Sequence, residues 1–161
     1  MASGAAQGAV TRPLVEADLD RVARIERSAF TDPWSPRSFE DLLAQPQVRA
    51  VAMDGDDGRV AGYALYTLVA GEGEILNLAV DPASQRRGLG RRLLQAVLGA
   101  MRVAGTTAVF LEVRQSNQAA IALYTGAGFR PVSLRRKYYR HPTEHAVTMA
   151  LRITPETAEK G

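Results

Sequence analysis

Apolar positions along the chain alternate between helical and strand spacing. Leu19, Val22, Ile25, Ala29 and Phe30 recur at helical intervals, and Asp18 sits where an N-cap belongs. Ser35-Pro36 opens a second helical segment that runs to about Gln45. A serine cap followed by proline is a strong start signal, because the first helical N–H has no partner to lose. Strand-like runs cover Val10–Val15, Val48–Asp54 and Arg59–Val69, the last two joined by the turn sequence Gly55-Asp56-Asp57-Gly58. Glu74–Val80 is a further apolar run, stopped by Asp81-Pro82. Leu89, Leu93, Leu94, Val97, Leu98 and Met101 form one stripe of a helix that ends near Gly105. A strand over Thr107–Arg114 follows, then a short helix over Gln118–Thr125, capped by Asn117 and closed by Gly128. Pro131–Arg136 and Ala146–Leu151 are the last strands. With no internal repeat or linker, this order predicts a mixed α/β (α+β) sheet with helices on both faces.

Composition narrows the chemistry. A chain of 161 residues with 46% hydrophobic and 23% charged side chains suits one domain with its own core. The absence of cysteine excludes disulfides, thiolate metal sites and cysteine nucleophiles. With only His141 and His145 as imidazoles, a histidine-rich metal site is excluded and a Ser-His-Asp triad is disfavoured. No apolar run reaches membrane-spanning length. Residues 1–9 lack the features of a signal peptide and read as a flexible, cytoplasmic N-terminus. The domain is expected over 10–152, with a flexible polar tail over 153–161.

Charge is unevenly placed. Residues 1–83 carry 13 acidic and 7 basic side chains, whereas 84–161 carry 4 acidic and 13 basic. The second half therefore suits an anionic partner: nucleic acid, lipid or a phosphorylated cofactor. The segment Val80-Asp81-Pro82-Ala83-Ser84-Gln85-Arg86-Arg87-Gly88-Leu89-Gly90-Arg91 lies between a strand end and a helix start. Two glycines allow a tight turn with exposed N–H groups, the helix start adds its positive end, and Arg86, Arg87 and Arg91 add charge. The spacing fits neither a P-loop, which ends in Gly-Lys-Ser/Thr, nor a dinucleotide fingerprint, whose third glycine position here is Leu93. A solvated Gly-Arg turn is the plainer reading.

Downstream, Glu112 alternates away from Val109, Leu111 and Val113, so it is either a reactive carboxylate or an Arg-paired strand residue. Tyr124 is either a core ring or a proton donor, and Asn117 is a helix cap that has room for a ligand as well.

Gln85-Arg86-Arg87-Gly88-Leu89-Gly90 after Asn77-Leu78-Ala79-Val80, followed in order by Asn117, Leu123-Tyr124 and Gly128-Phe129, resembles the GNAT superfamily of acetyl-CoA-dependent N-acetyltransferases. The resemblance spans about 10–152. Asp32-Pro33-Trp34-Ser35, Ile75–Val80, Leu111-Glu112-Val113-Arg114 and Arg136-Lys137-Tyr138-Tyr139 are similar to the RimI-like branch, which acetylates the N-terminal alanine of a small-subunit ribosomal protein. The resemblance implies a mostly antiparallel seven-stranded sheet, splayed at its middle strands, with about four helices. It implies acetyl-CoA contacts at Leu78, Ala79, Val80, Arg86, Arg87, Gly88, Leu89, Gly90, Arg91 and Asn117, with Gln85 fixing the loop. Glu112 is then the general base and Tyr124 the general acid, while Trp34, Tyr138 and Tyr139 wall a peptide groove. Direct transfer in a ternary complex is expected, without a metal.

The expected partner is a protein N-terminus, ribosomal in origin, with no direct contact to nucleic acid or membrane, and the enzyme is expected as a monomer or weak dimer. Transfer to a small-molecule amine or to protein lysine is the competing enzymatic reading. A nonenzymatic RNA- or ribosome-binding module is the more remote one. Glu72 and Glu74 are expected near the acceptor end, where they suit a basic peptide. Two features depart from the family pattern. Thr125-Gly126-Ala127 predicts early fraying of the helix that carries Tyr124, since glycine costs about 1 kcal/mol against alanine in a helix. His141-Pro142-Thr143-Glu144-His145 has no assigned role.

Overall fold

The structure is a computed structural model that describes residues 10–84 and 88–156. Seven strands of the described residues form one sheet: β1 (Thr11–Pro13), β2 (Val48–Asp54), β3 (Val60–Val69), β4 (Glu72–Val80), β5 (Ala108–Arg114), β6 (Arg130–Tyr139) and β7 (Glu144–Arg152). Their spatial order is β1-β2-β3-β4-β5-β7-β6, and only β4 and β5 are parallel. Among the described residues, four α-helices cover it: α1 (Leu19–Ala29), α2 (Pro36–Leu43), α3 (Leu89–Val103) and α4 (Gln118–Gly126). None of them is long and apolar enough to cross a membrane.

β3 is the central strand, buried from Val60 to Tyr66. Its near-continuous apolar run reflects cover on both faces, which removes the need for a polar side. One apolar layer, with Val22, Ile25, Phe39 and Tyr63, lies under α1 and α2. The other, with Leu93, Leu94, Val97 and Met101, lies under α3. All six residues of the stripe read from the sequence are buried, from Leu89 to Met101. At about 1.5–3 kcal/mol per buried side chain, the stripe holds α3 far more firmly than its glycines at 88, 90 and 99 loosen it.

Several boundaries shift. β1 is only Thr11–Pro13, and β6 continues through Tyr139, so Tyr138 and Tyr139 lie at the end of a strand rather than past it. Ser35 caps α2 as expected, its hydroxyl accepting from the Ser38 N–H at 3.1 Å. Asp18 does not cap α1 with its side chain; its backbone is already helical, at φ −84° and ψ −13°. Its carboxylate turns instead to the Val15 N–H at 2.8 Å and to the Arg12 guanidinium at 2.9 and 3.0 Å. Arg12 also forks onto Asp54, so one cation ties the start of α1 to β2. Past β7, Ile153 N–H bonds to Thr107 and Glu156 N–H to Arg102, keeping the chain on the body through 156. Residues 1–9 and 157–161 of the expected flexible ends lie outside the described residues.

The β4–β5 ladder pairs Glu72–Ile75 with Ala108–Leu111 and stops there. The β3–β4 ladder runs on to Val80, with an irregularity where Leu65 pairs Asn77 and Tyr66 pairs Ile75. Leu76 is the extra residue of that bulge. Such an insertion bends its strand and increases its twist, so β4 leaves β5 and a cleft opens between them.

Asp18 offers a test of the Arg12 tie. Hydrogen bonding to Arg12 holds its carboxyl below the ordinary range. The tie is therefore fully present above the unfolded pKa of about 4 and is lost as pH falls through the lower folded value. Asp18→Asn is expected to lose about 1–3 kcal/mol at pH 7. In urea unfolding, the gap between parent and variant should narrow below pH 4; a gap independent of pH would contradict the tie.

Candidate active site

The cleft between the splayed strands has a volume of about 370 Å³. One wall is the bulged part of β4, Ile75 to Leu78; the other is Leu111 to Arg114 of β5. Trp34 and Asp32 reach in from the connection between α1 and α2, Tyr124 and Asn117 from α4 and its cap, and Tyr138 and Tyr139 from the end of β6. Of the residues singled out in the sequence, the cleft brings together Trp34, Leu78, Glu112, Asn117, Tyr124, Tyr138 and Tyr139.

Glu112 alternates as its strand position requires: Val109, Leu111 and Val113 are buried and Glu112 faces the cleft. Its Oε2 accepts from Arg135 Nη1 at 2.8 Å and from Thr148 Oγ1 at 3.3 Å. The Arg-paired reading of Glu112 is thus realised, yet its side chain stays 17% exposed at the cleft surface. The Arg135 guanidinium also lies 4.2 Å above the Tyr138 ring centre. Glu74, on β4, lines the same cleft. Burial pushes its carboxyl up, and the like charge of Glu112 adds to this while Arg135 opposes it. Of the two carboxylates expected at the acceptor end, Glu74 thus lines the cleft, and Glu72 begins β4.

Tyr124 is 7% exposed and packs edge-on against Phe129, with ring centres 5.6 Å apart. α4 does not fray before it: the helix includes Gly126, and Ala127 and Phe129 N–H groups both return to the Tyr124 carbonyl. Packing of Tyr124 and Phe129 overrides the weak propensity of Thr125-Gly126. Burial raises the Tyr124 phenol pKa well above its ordinary value. Tyr139 is pushed up to about 12, first by burial and then by the charge of Glu112. Tyr138 is raised for the same reasons. All three phenols therefore keep their protons at neutral pH. Asn117 is the expected cap, its Oδ1 accepting from Ala120 N–H at 3.1 Å.

Sequence reasoning missed the braces of the β6–β7 tip. Arg114 donates to the carbonyls of Arg140 at 2.8 Å and Pro142 at 2.9 Å, and its guanidinium lies 4.6 Å from the centre of the Tyr139 ring. Glu144 accepts from Arg114 and from Ser116 N–H, and His145 Nδ1 accepts from Lys137 N–H at 3.0 Å. Glu26 was also missed. It is 1% exposed, lines the cleft, and accepts from Trp34 N–H, Tyr63 O–H and Asn77 Nδ2. The readable signal was a carboxylate four residues after Val22, on the buried side of α1.

The remaining described residues singled out in the sequence are not among those that line the cleft. Ala79, Val80 and Leu89 are buried, and Arg91 is exposed on the first turn of α3. Gly88 precedes that turn with φ +72°, a conformation that side chains resist, and an added Cβ would meet none of the described residues within 4 Å. Gly90 departs from expectation. It sits in α3 without a positive φ, and a Cβ there makes only ordinary contact with Leu123 at 3.7 Å and Val80 at 3.8 Å. Of the two glycines, only Gly88 has a backbone that requires one. Gln85, Arg86 and Arg87 lie outside the described residues.

Comparison with known proteins gives a consistent result. The Acetyltransferase (GNAT) family matches residues 19–129. The [ribosomal protein bS18]-alanine N-acetyltransferase of Salmonella typhimurium is 40% identical over 141 residues, covering 85% of this chain and 93% of that protein. The N-alpha-acetyltransferase RimI of Mycobacterium tuberculosis is 42% identical over 148 residues, covering 88% of this chain and 89% of its own. The crystal structure of the ribosomal-protein-S18-alanine N-acetyltransferase from Escherichia coli superposes with a TM-score of 0.84 at 34% identity, covering 95% of this chain and 99% of that one.

Proposed function

The chain belongs to the GNAT family and is an N-acetyltransferase, and we propose that it transfers acetyl from acetyl-CoA to the N-terminal α-amine of an Ala-starting small-subunit ribosomal protein in the cytoplasm. The observation that supports this most is the meeting of Glu112, Tyr124 and the aromatic side chains Trp34, Tyr138 and Tyr139 in one cleft. The names of the relatives point to the same acceptor class.

Acetyl-CoA, when bound, supplies an acetyl thioester. The residues present fit it. Gly88 turns at a positive φ into the first turn of α3, a helix start whose leading N–H groups and positive end suit a pyrophosphate, and Arg91 adds charge there. Leu78, Ala79 and Val80 lie on β4 past the end of its ladder with β5, where backbone can align a pantetheine arm. Asn117 meets the same ligand from the start of α4.

The acceptor amine must lose a proton before it attacks. An α-amine of pKa about 8 is roughly one-tenth neutral at pH 7, whereas a lysine amine of about 10.4 is neutral at a few parts in ten thousand. Glu112, fixed by Arg135 and Thr148, takes that proton directly or through a water. Tyr124 donates to the departing sulfur. Burial keeps the phenol protonated, so Tyr124 faces the departing sulfur as a hydrogen-bond donor that stabilises the developing thiolate. The absence of a cysteine nucleophile favours direct transfer in a ternary complex over an acyl-enzyme.

The deciding experiment uses two peptides: one with a free N-terminal Ala and no lysine, the other N-terminally blocked with an internal lysine. The first should be acetylated at least about tenfold faster, following the neutral fractions above. Equal rates, or a faster lysine peptide, would overturn the acceptor assignment and leave the acetyltransferase chemistry standing.

Glu112→Gln should lower kcat by about 10²–10⁴-fold, with less loss at high pH where the amine deprotonates unaided. Calorimetry should find acetyl-CoA affinity unchanged in that variant. Gly88→Ala should weaken acetyl-CoA binding by straining the turn. Gly90→Ala should leave thermal stability equal or higher, by up to about 1 kcal/mol. Unchanged acetyl-CoA affinity in a folded Gly88→Ala protein would remove the turn from the binding site.

A further inference from the structure

Glu26 is a carboxylate in the wrong place for stability. It occupies the buried side of α1, between Val22 and Ala29, in a layer otherwise made of Ile25, Phe39, Tyr63 and Leu65. Burying such a group costs several kcal/mol unless its oxygens are fully bonded, and an apolar side chain of similar volume usually serves a core as well or better. Burial accordingly pushes its carboxyl up, against the pull of its three donors.

Those donors come from three separate parts of the fold. Trp34 N–H donates to Oε2 at 2.9 Å from the connection between α1 and α2. Asn77 Nδ2 donates to Oε1 at 2.7 Å from β4, at the paired residue just past the Leu76 bulge. Tyr63 O–H donates to Oε1 from β3. A second path links the same parts: Trp34 packs on Phe39 with ring centres 5.3 Å apart, and Phe39 on Tyr63 at 5.8 Å. A carboxylate is acceptor-only, so it satisfies three converging donors where a glutamine would turn an N–H against at least one of them.

We infer that Glu26 is a positioning residue that sets the width of the acceptor groove, by locking the Trp34 segment to the bulged part of β4 through Asn77. The inference rests on Trp34 forming the acceptor wall, as in the function proposed above. Its bonds run to Trp34, Tyr63 and Asn77 and, among the described residues, none runs to the turn at Gly88 or the start of α3, so its effect is expected first on the acceptor side.

Two readouts test it, and one needs no acceptor. Trp34 is the sole tryptophan of the chain, so its fluorescence reports this segment directly. In Glu26→Gln, acrylamide quenching of Trp34 should rise at least about twofold. The KM for the Ala-starting peptide should rise about tenfold, with kcat and acetyl-CoA affinity within about twofold of the parent, since a bond to a charged group is lost on the acceptor side only. The double variant Glu26→Gln with Asn77→Asp restores an amide–carboxylate pair in reverse and should recover much of both changes. A Glu26→Gln protein that only melts earlier, with quenching and KM unchanged, would overturn the inference. So would a fall in kcat at constant KM, or a double variant worse than the single one. Should Glu26→Gln fail to fold, Asn77→Ser cuts the same tie from the strand side and is judged by the same two measurements. If the parent modifies no peptide α-amine, the acceptor reading fails by itself; quenching and the KM for whichever amine the parent does accept then decide the role of Glu26.

Discussion

The parallel ladder between β4 and β5 ends at Ile75–Leu111, and the working part of the molecule follows from that ending. A parallel pair that continued would fill the middle of the sheet with its own hydrogen bonds. Instead, the extra residue Leu76 bends β4 while β3 holds it to Val80, and the two strands part. The cleft is therefore lined by backbone and by side chains of both strands. Each wall remains paired on its outer side, β4 with β3 and β5 with β7.

Around this gap the fold arranges charge in an order that the net values conceal. The acidic first half of the chain supplies Glu26, Asp32 and Glu74 to the cleft, and the basic second half adds Glu112. Part of the excess of arginine in that second half is used internally. Arg135 holds Glu112 and covers Tyr138, and Arg114 grips the carbonyls at the β6–β7 tip. Charge asymmetry along a sequence is thus an upper bound on what is offered to an outside anion. For this chain, Arg91 at the start of α3 is exposed, as are Arg102, Arg130, Arg136, Lys137, Arg140 and Arg152.

The aromatic residues show how one residue type takes on different duties by depth. Tyr63 is fully buried and survives because its hydroxyl has a carboxylate to meet. Tyr124 is nearly as buried but borders the cleft, so desolvation makes it a reluctant acid that keeps its proton. Tyr138 is 45% exposed and lies under a guanidinium at the cleft rim. The same ring chemistry thus stands at three depths: in the core, in the cleft wall and at the cleft rim.

The helices, their caps at Ser35 and Asn117, the α3 stripe and the turn at Gly88 were legible in the sequence. Each depends on residues within about four positions of one another, where backbone geometry leaves few choices. The order of motifs also carried the family, and with it the splayed sheet. The tertiary structure alone decided the rest. Asp18 turns from the cap to Arg12, a cation that the β1–β2 pairing holds beside it. Gly90 proved to be an ordinary helical residue, since one positive-φ turn at Gly88 was enough to start α3. Arg135 reached Glu112 across 23 positions, and Asn77 reached Glu26 across 51. Such partners are set by strand order, register and a single bulged residue, which a local pattern of apolar and polar side chains does not encode.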